Sequence, residues 1–173
     1  MSDDWGFTVA KVPNGVLLTL AIGGAALAYI VADHLHTPYD PDFDEIGAKY
    51  GVPSNLLRAL ARVESGFNPA ARNPKTGTYP AGNYDVGLMQ VNTTTGSRLG
   101  YTAVQLGAPR TSIEAAARLL VMNRQALGNR YSPQALAASY NVGVDLKPAD
   151  VGAAYAAKVL YHWNLYDMGR VLA

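Results

Sequence analysis

The stretch Leu57-Arg58-Ala59-Leu60-Ala61-Arg62-Val63-Glu64-Ser65-Gly66-Phe67-Asn68-Pro69 decides how this chain is read. Steps of three and four residues return to the same side of a helix, so Leu57, Leu60 and Glu64 share one face. Gly66 and Pro69 then end the helix. A carboxyl group therefore lies on a leucine stripe at a helix terminus. Two readings compete for it. Either Glu64 turns to water as an ordinary terminal residue, or it is desolvated. A desolvated carboxyl resists ionisation and stays protonated near neutral pH. That is the requirement for a general acid that cleaves a glycosidic bond.

The flanking segments read helical as well. Asp42 to Tyr50 is a short helix stopped at Gly51, and Ser54, behind Pro53, is placed to cap the helix that carries Glu64. Asn73 to Asn83, rich in Gly, Pro, Asn and Thr, is a loop with room for a small two-stranded hairpin. Ser112 is the expected cap of a helix from Ile113 to Leu127, closed by Gly128. Ser132-Pro133 is a cap followed by proline at the first helical position, and Asp150 opens a last helix through Trp163. Periodicity alone supports an all-α globular domain.

Three further blocks follow Glu64 in order. They are Asp85-Val86-Gly87-Leu88-Met89-Gln90-Val91-Asn92, Leu136-Ala137-Ala138-Ser139-Tyr140-Asn141-Val142-Gly143, and Tyr155-Ala156-Ala157-Lys158-Val159-Leu160. With the Glu64-Ser65 helix end, these blocks resemble the soluble lytic transglycosylase (SLT, goose-lysozyme-like) family. The resemblance runs from roughly Phe43 to Trp163. It implies an all-α, lysozyme-like catalytic domain. It also implies cleavage of the β-1,4 bond between N-acetylmuramic acid and N-acetylglucosamine in peptidoglycan, with 1,6-anhydromuramic ends as product and no cofactor. In that chemistry one carboxyl acts first as acid and then as base, and the muramyl 6-hydroxyl is the nucleophile.

On this resemblance Glu64 is the catalytic acid/base. Ser65, Met89, Gln90, Tyr140, Asn141 and Tyr155 carry over as residues of the sugar cleft. Met89 reads equally well as core packing. A tyrosine hydroxyl reaching Glu64 would hold its orientation, with Tyr140 and Tyr155 as the candidates. The chain departs from the family in having Thr93 where many members have proline, and Ala115-Ala116 where Ala-Gly is frequent. These departures touch subsite detail and leave the acid in place. Asp85 has two readings, a loop turn residue or a second carboxylate able to activate water. In the second reading the enzyme would be a hydrolytic muramidase using Glu64 and Asp85.

Composition removes other classes. Cysteine is absent, which excludes disulfides, thiol nucleophiles and thiolate metal sites. The three histidines, His34, His36 and His162, have no metal-ligand spacing, so no metal is expected. The formal net charge is +1, unevenly distributed. From Lys49 onward thirteen basic residues face six acidic ones, an excess of seven. Such a domain is drawn to an anionic polymer, and the peptidoglycan strand is the expected partner. Nucleic acid is not, because the basic residues are spread singly without interleaved aromatics.

Residues 16–32 form an uncharged apolar run. As a helix it would extend roughly 26 Å, against a hydrocarbon core of ~30 Å. Its favoured reading is a single transmembrane helix. A cleaved secretory signal and a buried core helix are the competing ones. Lys11 precedes the run and only acids and histidines follow it closely, which puts the domain on the periplasmic or wall side. The expected organisation is a membrane segment over 1–32, an acidic proline-containing linker over 33–41 and the catalytic domain over 42–173. Anchored enzymes of this kind suit local wall opening, in a virion during phage entry or in a secretion system. The non-enzyme alternative is a wall-docking structural component of such an assembly.

Overall fold

The structure, a computed structural model, describes residues 7–12, 15–22, 25–30, 36–74 and 82–172. Helix α2 (Ser54–Ser65), which carries Glu64, is at its centre. On it Leu56, Leu57, Ala59, Leu60 and Ala61 are fully buried. Each buried leucine contributes about 1.5–3 kcal/mol relative to an exposed one. Helix α1 (Asp40–Tyr50), α2 (Ser54–Ser65) and α7 (Ala149–Leu172) pack together, with α2 between the other two. Helix α5 (Pro109–Leu127) lies against α1 and α6 (Pro133–Val142), and α6 also packs on α7. Two short helices, α3 (Thr93–Arg98) and α4 (Ala103–Leu106), fill the turn between the sheet region and α5.

A buried polar network fixes the helix packing. Arg58, 5% exposed, donates through Nε to Asp40 Oδ1 at 2.8 Å and through Nη1 to Asn55 Oδ1 at 3.1 Å. It also pairs with Asp44 at 3.0 Å, and Asn55 donates to Asp167 Oδ1 at 2.7 Å. Helices α1, α2 and α7 are thereby keyed to one guanidinium, whose planar fork suits several acceptors at once.

Several helix ends follow the sequence. Gly51 and Gly66 close α1 and α2, and Ser132 caps α6 by accepting from Ala135 N at 3.0 Å. Two expected caps are corrected. Pro53, not Ser54, occupies the N-cap of α2, without a side-chain cap. Helix α5 starts at Pro109 behind Ala108, so Ser112 lies inside it. Proline's fixed φ suits the first helical turn and starts α5 earlier. Ser112 is fully buried, and its Oγ accepts from Met89 N at 3.0 Å. Ser112→Ala is expected to strand that buried N–H and cost about 1–3 kcal/mol. Chemical denaturation checks this, and a loss below ~0.5 kcal/mol would remove Ser112 from the account.

The loop region contains more strand than expected. Strands β4 (Arg72–Pro74), β5 (Tyr84–Val86) and β6 (Val91–Asn92) form a small antiparallel sheet. Asn73 pairs with Asp85, and Asp85 with Asn92. Residues 75–81 lie outside the described residues.

The N-terminal segment corrects the expected helix. Strands β1 (Phe7–Val12), β2 (Gly15–Ile22) and β3 (Ala25–Ile30) form an antiparallel meander, with Phe7 opposite Leu20 and Leu17 opposite Ile30. Among the described residues no helix is long and apolar enough to cross a membrane. The sequence contains a reason: Gly23-Gly24 is a turn-favouring pair inside the apolar run, and Pro13-Asn14 is another just ahead of it, which leaves strand-length apolar pieces. The assigned linker lies partly outside the described residues, and its last two residues, Asp40 and Pro41, begin α1.

Candidate active site

The turn Gly87-Leu88-Met89-Gln90 between β5 and β6 is held by side chains from three helices. Ser65 Oγ, at the end of α2, donates to Leu88 O at 2.7 Å. Ser112 Oγ of α5 accepts from Met89 N, and Tyr140 Oη of α6 donates to Met89 O at 2.8 Å. Gln90 Nε2 donates to Ala71 O at 3.0 Å and to Gly87 O at 2.9 Å. The backbone polar groups of a buried turn require partners, and helix side chains supply them here. Gly87 itself has φ +78, and a Cβ there would stand 2.3 Å from Leu106 O. Only glycine fits both the left-handed backbone and that approach.

Glu64 sits at the other wall. It occupies the last turn of α2, beyond the fully buried Leu57 and Leu60, and is partly buried. The Tyr155 hydroxyl, from α7, donates to Glu64 Oε1 across 91 positions of sequence. Burial, then the charge of Glu64 and the bond to it, push the Tyr155 phenol up. Burial and then the charges of Glu64 and Asp85 push the Tyr140 phenol well above its ordinary value. Both phenols are therefore neutral donors throughout the physiological range. The tyrosine that orients Glu64 is Tyr155, whereas Tyr140 spends its hydroxyl on the turn.

Between these walls lies a cavity of about 300 Å³. Glu64, Asp85, Gln90, Tyr140 and Asn141 all line it. Asp85, 8% exposed, accepts from Asn92 Nδ2 at 2.9 Å. The structure thus brings five of the eight candidate residues to one cavity. Tyr155 reaches it through Glu64. Ser65 and Met89 are not part of the wall: Ser65 turns its hydroxyl to backbone carbonyls, and Met89 is fully buried in the core. Sequence reading did not single out Asn83, Asn92, Thr95, Asn123 or Ser139 as cavity residues. Asn123 on α5 is 8% exposed, and a buried amide within an apolar helical run was the available signal. Among the described residues no group of three or more His, Asp or Glu is placed to hold a metal.

Comparison with known proteins identifies the family and the fold. The profile of the family described as "Transglycosylase SLT domain" matches residues 42–159. Protein IpgF of Shigella flexneri is 35% identical over 121 residues, which cover 68% of this chain and 75% of that protein. Protein IpgF of Shigella sonnei matches to the same extent. Among solved structures, the inactive mutant of lytic transglycosylase Slt from Pseudomonas aeruginosa superposes with a TM-score of 0.62 at 20% identity, covering 80% of this chain. The 70 kDa soluble lytic transglycosylase SLT70 of Escherichia coli gives a TM-score of 0.61 at 22% identity over 78% of this chain. In both cases the match spans 25% of the larger chain, and at these identities it shows the lysozyme-like fold. The profile match and the kinship to Protein IpgF carry the assignment further: the chain belongs to the Transglycosylase SLT domain family, a family of lytic transglycosylases.

Proposed function

We propose that this domain cleaves the β-1,4 bond between N-acetylmuramic acid and N-acetylglucosamine, with Glu64 as the sole acid/base and a 1,6-anhydromuramic end as product. The observation that carries the reading is the Tyr155 hydroxyl donating to Glu64 Oε1 at the wall of the cavity. With Oε1 so engaged, the transferable proton belongs on Oε2. Glu64 gives that proton to the leaving glycosidic oxygen. The resulting carboxylate then takes the proton of the muramyl 6-hydroxyl as it closes on its own anomeric carbon. The nucleophile is already attached to the sugar, so no protein carboxylate is needed to activate water. A Glu-to-Gln exchange marks the inactive Slt of Pseudomonas aeruginosa, in keeping with a single essential carboxyl.

Asp85 supports a second reading, because it lines the same cavity as Glu64. Activation of water by Asp85 would make the enzyme a muramidase. Mass spectrometry of digested sacculi separates the two. Anhydro ends are expected; products heavier by one water would establish hydrolysis and transfer the base role to Asp85.

The same reading puts the domain on the wall side of the cytoplasmic membrane, serving local wall opening by a virion or an envelope-spanning machine. The apolar run through residues 16–32 is its attachment. Full-length protein is expected to stay with membranes through high salt and alkaline carbonate. Its recovery in the soluble wash would overturn the attachment. A shortened soluble form beginning near Asp33 would identify a cleaved signal instead.

A further inference from the structure

Several side-chain donors at the cavity are already committed to protein acceptors. Gln90 Nε2 is committed to Ala71 O and Gly87 O, and Tyr140 Oη to Met89 O. Asn92 Nδ2 is committed to Asp85. Asn123 Nδ2 donates to Ser139 Oγ at 3.0 Å and to Ser139 O at 3.3 Å. The Ser139 hydroxyl is itself given to Leu136 O at 2.7 Å, so its oxygen is the acceptor for Asn123. This chain of bonds fixes which end of the Asn123 amide is nitrogen. It leaves Oδ1 with no donor among the described residues, on a side chain that is 8% exposed and lines the cavity. An acceptor at the cavity wall without a protein donor is open to a hydrogen bond from a ligand.

We propose that Asn123 is a substrate-binding residue, whose Oδ1 accepts a hydrogen bond from the acetamido N–H or a ring hydroxyl of an uncharged sugar of the glycan. This rests on the glycan-cleaving reading above and names the sugar chemistry its cavity selects. Asp85 shares that cavity and adds to its acceptor character, so a carboxylate-bearing substituent is disfavoured beside it while N–H and O–H groups are welcomed. Ser139 is a positioning residue: it holds the amide so that the oxygen, not the nitrogen, faces the ligand.

The test uses the full chain carrying Glu64→Gln, so that binding is read without turnover, and N-acetylglucosamine trimer as probe. Adding Asn123→Leu is expected to weaken the trimer by about tenfold or more in Kd, the scale of one lost hydrogen bond with its acceptor. Asn123→Asp, which keeps an acceptor oxygen, is expected to recover most of that affinity. Cellotriose, which has hydroxyls but no acetamido group, is the second probe. A loss confined to the N-acetylated trimer assigns the N–H, and a loss on both assigns a hydroxyl. In the unsubstituted parent the side-chain amide resonances of Asn123 should shift on saturation with trimer. This arm holds even where the leucine variant does not fold. An unchanged Kd in folded Asn123→Leu, or unshifted Asn123 resonances, would overturn the proposal. So would a parent that does not bind trimer, while lysis of sacculi by the wild-type chain would still uphold the glycan-cleaving reading.

Discussion

Glu64→Gln is expected to lower turnover of purified sacculi by about 10³-fold or more, at the upper end of what general acid–base catalysis contributes, because one group performs both proton transfers. The amide is nearly isosteric and retains a carbonyl oxygen, so it can still accept the Tyr155 hydroxyl at the position of Oε1. It has no proton acidic enough to give to a leaving oxygen and cannot take one from the 6-hydroxyl. Glu64 is only partly buried, and the leucines beneath it are untouched, so the thermal midpoint should move by no more than ~2 °C. Turnover of sacculi and a melting curve on the same preparation decide the matter. Wild-type turnover in a folded Glu64→Gln protein would remove this residue from the chemistry and pass the acid role to another group of the cavity, Asp85 first.

Gly87→Ala is expected to be the most damaging small substitution in the domain. A Cβ at this position stands 2.3 Å from Leu106 O and 3.1 Å from Ser112 Oγ. The first of these neighbours is backbone and the second is already engaged with Met89 N, so neither yields easily. Overpacking of about 1–3 kcal/mol adds to a left-handed φ that costs a non-glycine residue roughly 1–2 kcal/mol. The sum, about 2–5 kcal/mol, is a large fraction of the stability of a domain this size. Denaturant midpoints of variant and parent measure it. A loss under ~1 kcal/mol would mean that the turn relaxes freely, and the rigidity assigned to it would have to be abandoned.

The sequence made the helices legible to different degrees, for physical reasons visible in particular residues. Helix α2 was clear because its leucines repeat at helical spacing and Gly66 takes a left-handed φ of 61 just past its end. The caps at Ser54 and Ser112 were misread because a serine ahead of an apolar run has two uses, and local pattern does not distinguish a cap from a distant partner. Ser112 serves Met89, 23 positions away. The small sheet was underestimated because strands of two or three residues carry too few side chains to establish a period of two. The apolar N-terminal run has a hydropathy that suits a spanning helix and turn pairs that suit a meander, and hydropathy alone does not rank them. Within the site, five of the residues with motif spacing line the cavity, whereas Ser65 and Met89 do not. Asn123 and Ser139 were missed because their role arises from the crossing of α5 and α6, which no local stretch encodes.

The bond from Tyr155 to Glu64 also sets an order in time. A chain made or exported from its N-terminus presents Glu64 well before the residue 91 positions later that orients it. Asp167, which completes the Arg58 and Asn55 network, emerges later still. Until helix α7 docks, the carboxyl is present but not aimed. A chain in which α7 has not docked is therefore expected to be inert toward glycan, and a truncation that removes α7 to disarm the site without touching its acid. Competence is conferred only when the helix that carries Tyr155 arrives.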